Sequence, residues 1–373
     1  MPLRRRVRPS SEGWGCVLSE RFWRGLVSLT VCAEAGSPAS GLREDAVRVG
    51  IIGFGKMGAI RYEALSQNGL GRVVAIAEPQ GCSRIKGVRH HETAEELIRD
   101  PGVEAVFICT PNCFNKPLTI QALRAGKHVF CEKPPAFSAS EVEEVMEAER
   151  EAGDRKLMYG FNHRHHDSVK KAKELIDSGV FGRILWMRGR YGKSVDQSFC
   201  NDWRSRKELA GGGILMDQGI HMLDLFLMMA GEFDEVHAFV SNLYWKLSIE
   251  DNVFAILRNR NGLVASLHST MTQWRHLFAF EIFLEKGYTV INGLLTSSGT
   301  YGEEAMTIAK NRNSTPAVKW TDEEHIRFEV NNSWRYECDQ FLRSIRQDTP
   351  VVTGNSRDAL KLMRLVDAIY RGD

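Results

Sequence analysis

Val47-Arg-Val-Gly-Ile-Ile-Gly53-Phe-Gly55-Lys-Met-Gly58 decides how the rest of this chain is read. A run of strand formers ends on a glycine, two more glycines follow at short spacing, and a helical stretch continues to Gln67, where Asn68-Gly69 stops it. The first glycine permits a tight turn and the second lets a pyrophosphate approach the backbone. The third lets the helix pack on the strand, so that its free N–H groups face the phosphates. Glu78 closes the next strand-like run, where a carboxylate can accept both hydroxyls of an adenosine ribose. This placement favours NAD over NADP, although Arg84 nearby would suit a 2′-phosphate.

Working outward, strand-like runs at 104–110, 127–132 and 156–162 alternate with helical stretches. Capping boxes at Thr93/Glu96 and Ser138/Glu141 open two of those helices. Such alternation predicts a doubly wound parallel sheet with right-handed crossovers. The pattern changes after a helix at 167–178. A strand at 184–192, a long loop and a helix carrying His221 lead into several strand-like runs between Val236 and Ile291, with hairpin signals at Asn261-Gly262 and Lys286-Gly287. These read as a second, antiparallel sheet, and helices at 332–345 and 356–369 end the chain. The expected units are an extension at 1–46, a dinucleotide-binding domain at 47–163 and a substrate and oligomerisation domain at 164–373, whose last helices return to the first domain.

At 373 residues the chain is too long for one ordinary core. With 43% hydrophobic and 26% charged residues it is globular, and a net charge of +2 gives no reason to expect nucleic acid or an anionic membrane as partner. No apolar run approaches the roughly 20 residues needed to span a bilayer. Eight cysteines without a CxxC pair indicate free thiols in a reducing cytoplasm rather than disulfides or a metal site. In the extension, Arg4, Arg5, Arg6 and Arg8 precede a short apolar run at 26–33, the order of a signal peptide. Ser28 and Thr30 break that run, so a flexible extension or an over-long start is expected.

The chemistry rests on three later residues. Lys133 closes a strand in Glu132-Lys133-Pro134-Pro135, and strand ends in such a sheet face the ligand crevice, where a lysine stabilises charge developing on a substrate oxygen. In Gly211-Gly-Gly-Ile-Leu-Met-Asp217-Gln-Gly-Ile-His221 three glycines give a flexible approach to a helix. Asp217 and His221 are then spaced i, i+4 on one helical face, so the carboxylate can orient an imidazole suited to proton transfer near neutral pH. The same pair would also suit an N-capping Asp above a core histidine. Asn162-His163-Arg164-His165-His166 lacks an acidic or cysteine partner at metal spacing and reads as pocket lining, with Arg164 touching substrate. Trp203 can stack on a sugar face, and Arg204 with Arg164 can grip a phosphate or carboxylate.

Together the fingerprint, Thr110-Pro111-Asn112, Ala125-Gly-Lys-His-Val-Phe-Cys-Glu132-Lys133-Pro134 and the Asp217/His221 stretch resemble the Gfo/Idh/MocA family, from Val47 to the C-terminus. The resemblance implies a Rossmann domain followed by a domain built on an open-faced, mostly antiparallel sheet. It implies an NAD(P)-dependent oxidoreductase acting on a secondary hydroxyl or ketone of a sugar, cyclitol or nucleotide sugar. It maps the family's catalytic lysine, aspartate and histidine onto Lys133, Asp217 and His221. Cofactor contacts are expected along Gly53, Phe54, Gly55, Lys56, Met57 and Gly58, at Glu78, at Thr110, Pro111 and Asn112, and at Glu132 and Lys133. Asn115, which stands where the family often carries a histidine, is expected to join them. The open sheet face implies a homodimer or homotetramer. A regulator that binds the dinucleotide without turnover, and an NAD-dependent glycosidase on the same scaffold, are the alternatives.

Overall fold

The computed structural model describes residues 46–310 and 318–372, so the extension expected at 1–46 lies, but for its last residue, outside the described residues. Six strands form the first sheet: β1 (Val47–Ile52), β2 (Gly71–Ala77), β3 (Arg89–His91), β4 (Ala105–Ile108), β5 (His128–Glu132) and β6 (Leu157–Gly160). All pairs are parallel and the order is 3-2-1-4-5-6. Strand order therefore reverses between β1 and β4, which opens a crevice beyond their carboxyl ends. Helices α1 (Lys56–Ser66), α2 (Ala94–Arg99), α3 (Asn115–Arg124) and α4 (Ala139–Glu151) make the crossovers. The sequence reading overlooked β3, a three-residue, partly exposed edge strand with no apolar side chain to signal it. Thr93 and Glu96 form the expected capping box, whereas Ser138 caps Glu141 N–H while the Glu141 carboxylate turns to Phe137 N–H.

Beyond β6, α5 (Asp167–Asp177) leads to β7 (Ile184–Ser194), and then to a short helix α6 (Lys207–Ala210), a π-helical turn at 215–219 and α7 (Ile220–Ala230). Seven further strands follow: β8 (Glu235–Ser241), β9 (Asn252–Arg258), β10 (Val264–Thr270), β11 (Thr272–Leu284), β12 (Gly287–Asn292), β13 (Glu304–Lys310) and β14 (Glu324–Phe328). The eight strands run 14-13-12-11-7-10-9-8, antiparallel throughout except for β7 beside β10. Met187, Gly189 and Tyr191 of β7 face inward onto α7, so tightly that a Cβ on Gly189 would sit 2.3 Å from Met222. The opposite face exposes Phe239, Phe254 and Ile256, with Phe239 80% accessible.

Helices α8 (Ser333–Arg346) and α9 (Ser356–Arg371) return to the first sheet. Phe341 of α8 packs edge-on against Phe107 and Phe130, whose rings stack at 4.7 Å. Each such buried aromatic contributes roughly 1.5–3 kcal/mol relative to exposure. Arg61 of α1 is wholly buried between Glu132 and Glu337, at 2.7 Å from each carboxylate. One membrane-length apolar helical stretch does occur among the described residues, at 207–230, contrary to the expectation from the sequence. Gly211, at φ +80°, ends α6 within this stretch, and 72% of its apolar window is buried inside the protein.

Candidate active site

A cleft of about 1390 Å³ runs from the fingerprint turn to the face of the second sheet. At its cofactor end Gly53 has φ +84°, a left-handed conformation that L side chains rarely adopt, and a Cβ there would meet the Cys109 carbonyl oxygen at 2.7 Å. Gly58 packs the start of α1 onto the turn, with a Cβ falling 2.2 Å from the Gly53 carbonyl oxygen. A Cβ on Gly55, by contrast, would meet nothing within 4 Å, and α1 begins there without a side-chain cap. Open space in front of uncapped N–H groups fits a pyrophosphate. The Glu78 carboxylate stands at the end of β2, accepting from Phe54 N–H at 2.7 Å and Gln80 N–H at 3.2 Å. Lys56, Met57, Glu78, Arg84 and residues 110–112 line the cleft, so these residues fit a dinucleotide.

Three of the expected cofactor residues act otherwise. The Phe54 side chain lies edge-on to Tyr62 and does not line the cleft; only its N–H reaches Glu78. Gly58 packs the start of α1 onto the turn, as the fingerprint reading expects. Asn115 is wholly buried, and its amide donates to the Glu132 carbonyl at 3.1 Å and the Pro134 carbonyl at 2.8 Å. It pins the turn that carries Lys133 rather than touching a ligand, because α3 starts beneath that turn instead of beside the crevice. Glu132 lines the cleft, but its carboxylate accepts from Arg61.

At the far end, Lys133 Nζ donates to the Asp217 carbonyl at 2.7 Å and to Asp217 Oδ1 at 3.3 Å. Asp217 Oδ2 accepts from Lys193. No hydrogen bond joins Asp217 to His221, and the expected carboxylate–imidazole pair is thereby corrected. The Asp217 carboxylate is taken up by the two lysines instead, from a π-helical turn at 215–219. That turn is held from outside: Glu250 accepts from Gly213 N–H, Leu215 N–H and the Tyr370 hydroxyl. The expected flexible glycine approach is corrected too. A Cβ on Gly212 would lie 2.1 Å from the Tyr370 hydroxyl, and one on Gly213 2.1 Å from the Glu250 carbonyl oxygen.

His221 is instead oriented by His163, whose ring stacks on it at 3.8 Å and 24°. His163 places Nδ1 at 3.1 Å from Asn162 Oδ1 and Nε2 at 2.9 Å from the Tyr191 hydroxyl, a network that suits a neutral ring with both nitrogens engaged. Burial, and then the neighbouring Lys133 charge, hold His221 well below the ordinary imidazole value. It is a neutral base whose buried Nδ1 has no hydrogen-bond partner among the described residues. Burial lowers Lys133 as well, opposed by Asp217. Burial alone would raise Asp217, but Lys193 and Lys133 bring it well below the usual carboxylate range.

Arg164 does not reach the cleft. Its guanidinium binds Asp224 through two hydrogen bonds, at 2.8 and 2.6 Å, and Asp358 through a third, at 2.6 Å, tying α7 to α9. The expected substrate contact is corrected; a buried guanidinium settles where carboxylates can satisfy it. Trp203 and Arg204 do line the cleft, with the guanidinium 4.4 Å above the indole ring. Lys193 and Tyr191 were missed. The signal was available in the period of two along β7, which continues the inward face of Met187, Gly189 and Tyr191 onto Lys193. Among the described residues no cluster of histidine, cysteine or carboxylate side chains is arranged to hold a metal.

Residues 47–161 match the family model described as an oxidoreductase family with an NAD-binding Rossmann fold, and residues 169–290 match the GFO/IDH/MocA C-terminal domain. A levoglucosan dehydrogenase of Pseudarthrobacter phenanthrenivorans is 30% identical over 66% of this chain and 73% of that protein. A myo-inositol 2-dehydrogenase of Thermotoga maritima is 28% identical over 65% of this chain and 74% of its own length. The fold superposes on levoglucosan dehydrogenase in complex with NADH and levoglucosan with a TM-score of 0.77, at 24% identity, over 88% of this chain and 97% of the other.

Proposed function

This chain belongs to the Gfo/Idh/MocA family of NAD-binding oxidoreductases, and from that premise we propose that it transfers a hydride between nicotinamide and a secondary hydroxyl or ketone of a sugar, cyclitol or nucleotide sugar. The bound cofactor supplies the hydride acceptor. His221, neutral and set in place by His163, takes the hydroxyl proton. Lys133 directs its remaining N–H at the same oxygen and stabilises the negative charge forming there. Asp217 fixes Lys133 through its carbonyl and carboxylate and so acts as a positioning residue for the lysine. Trp203 offers an aromatic wall for a sugar ring. The observation that carries the reading is that Lys133 and a neutral His221 line the same cleft as the glycine turn and Glu78.

We assign the dinucleotide unit to 47–163 and the substrate unit to 164–373. The outward face of the second sheet, with Phe239, Phe254 and Ile256 exposed, is proposed as the contact of a homodimer or homotetramer. The free thiols among the described cysteines suit a cytoplasmic enzyme.

The test is NADH formation from NAD with a panel of cyclitols, sugars, sugar phosphates and nucleotide sugars, run on the wild type and Lys133→Ala together. Turnover of one class that disappears in the variant is expected. Silence across the panel with NAD demonstrably bound would overturn the reading.

A further inference from the structure

We propose that Lys193 and Arg204 form an anion-binding subsite at the substrate end of the cleft, so that the sugar or cyclitol turned over carries a carboxylate or phosphate. The inference rests on the oxidoreductase reading above and narrows its substrate class.

Charge balance carries the argument. Lys133, Lys193 and Arg204 all bear on the Asp217 carboxylate. Asp217 alone serves both lysines, through Oδ1 and Oδ2. Asp202 already binds Arg204 at 3.3 Å, and Glu132 also bears on Lys133. Glu132 is matched by Arg61, whose other neighbour Glu337 is pushed up to about 8 by burial, and His221 and His163 are held neutral by burial. Three cations thus face two carboxylates, leaving one positive charge in a cleft where Lys133 and Lys193 are 19% and 11% exposed and Arg204 36%. Unmatched charge at low exposure is costly, and a ligand anion relieves it.

Placement supports the same conclusion. Lys193 sits on the inward face of β7 with its side chain only 11% exposed, a position the strand's alternation otherwise gives to Met187, Gly189 and Tyr191. Pairing with Asp217 does not by itself require a second lysine, since Lys133 already makes that pair. Both cations are also held over aromatic rings: Lys193 Nζ lies 4.8 Å from the Phe199 centroid, and Arg204 is 4.4 Å above Trp203. Phe199 and Trp203 come from the consecutive short helical turns at 197–201 and 203–205, which wall the cleft beside β7. Fixed donors of this kind suit an anion better than a set of neutral hydroxyls, which would need acceptors as well.

The experiment is calorimetric binding to the full chain loaded with NADH, so that the pyrophosphate site is filled, using D-glucuronate, D-glucose 6-phosphate and D-glucose. At least one anion should bind about tenfold or more tightly than glucose, and the better one tells carboxylate from phosphate. Lys193→Gln and Arg204→Gln should each erase that advantage while NADH affinity holds, and Lys193→Arg should keep it. Glucose binding as tightly as both anions, no binding by either anion, or an advantage that survives in Lys193→Gln would overturn the proposal. Failure of the wider reading looks different. Anion preference without turnover would leave the subsite and remove the oxidoreductase assignment, whereas turnover of neutral sugars alone would do the reverse.

Discussion

The two ends of the cleft are built by different means. At the cofactor end, twelve consecutive residues supply a strand, a turn and a helix start, and the working parts are mostly backbone atoms. At the substrate end, Lys133, His163, Lys193, Arg204 and His221 arrive from five separate segments, and the working parts are side chains held by one another. Backbone geometry is written locally because glycine placement alone dictates it. Side-chain constellations depend on long-range packing, so a single pairing between distant segments can redirect a residue.

The contrast can be broken most directly by separating binding from turnover. Lys133→Ala should lower kcat by about 10²–10³-fold with NADH affinity unchanged, as measured by turnover and fluorescence titration. Gly58→Val, at the other end, should weaken NADH by about tenfold or more, because the new Cβ meets a backbone oxygen that cannot move aside. If Lys133→Ala lost NADH as well, the two ends would not be separable.

A third substitution probes what joins them. Arg61 links the turn bearing Lys133 to α8, and Arg61→Met would strand buried carboxylates on both sides. We expect a loss of about 3–5 kcal/mol in denaturant unfolding. Titration sharpens the comparison with smaller effects. His221 stays neutral until pH falls well below the ordinary imidazole value, so the acid limb of kcat/KM should lie below about pH 6.5. Removing the Lys133 charge in Lys133→Met should move His221 upward, a shift visible by NMR.

The smallest effect concerns Glu337, which burial pushes up to about 8 against the opposing Arg61 charge. Its folded value lies above the ordinary 4.5, so its contribution to stability is present below pH 4.5 and is lost as pH rises to about 8. Glu337→Gln should therefore gain on the wild type across that window in thermal unfolding. A flat difference between the two would mean that Arg61 keeps Glu337 ionised.

The first sheet was legible because its strands are apolar runs and its helices carry caps and stops, as Thr93/Glu96 and Asn68-Gly69 show. β3 and β14 were not, since short or exposed strands carry little apolar pattern, and the alternation of Met306 and Ile308 in β13 went unread. Of the site, Lys133, Asp217 and His221 were found, while their pairing was not. Helical spacing suggested Asp217 beside His221, but Lys133 and Lys193, distant in sequence, take its carboxylate.

Sequence by itself determined the glycine turn, the acidic end of β2 and the residue types available for proton and charge handling, because each follows from neighbours within a few positions. Tertiary structure alone decided that Arg164 ties helices together and that Asn115 pins the Lys133 turn. The physical reason is burial. Once a charged or amide group leaves water it goes wherever the fold offers a partner, which can lie far along the chain, as Asp358 does from Arg164.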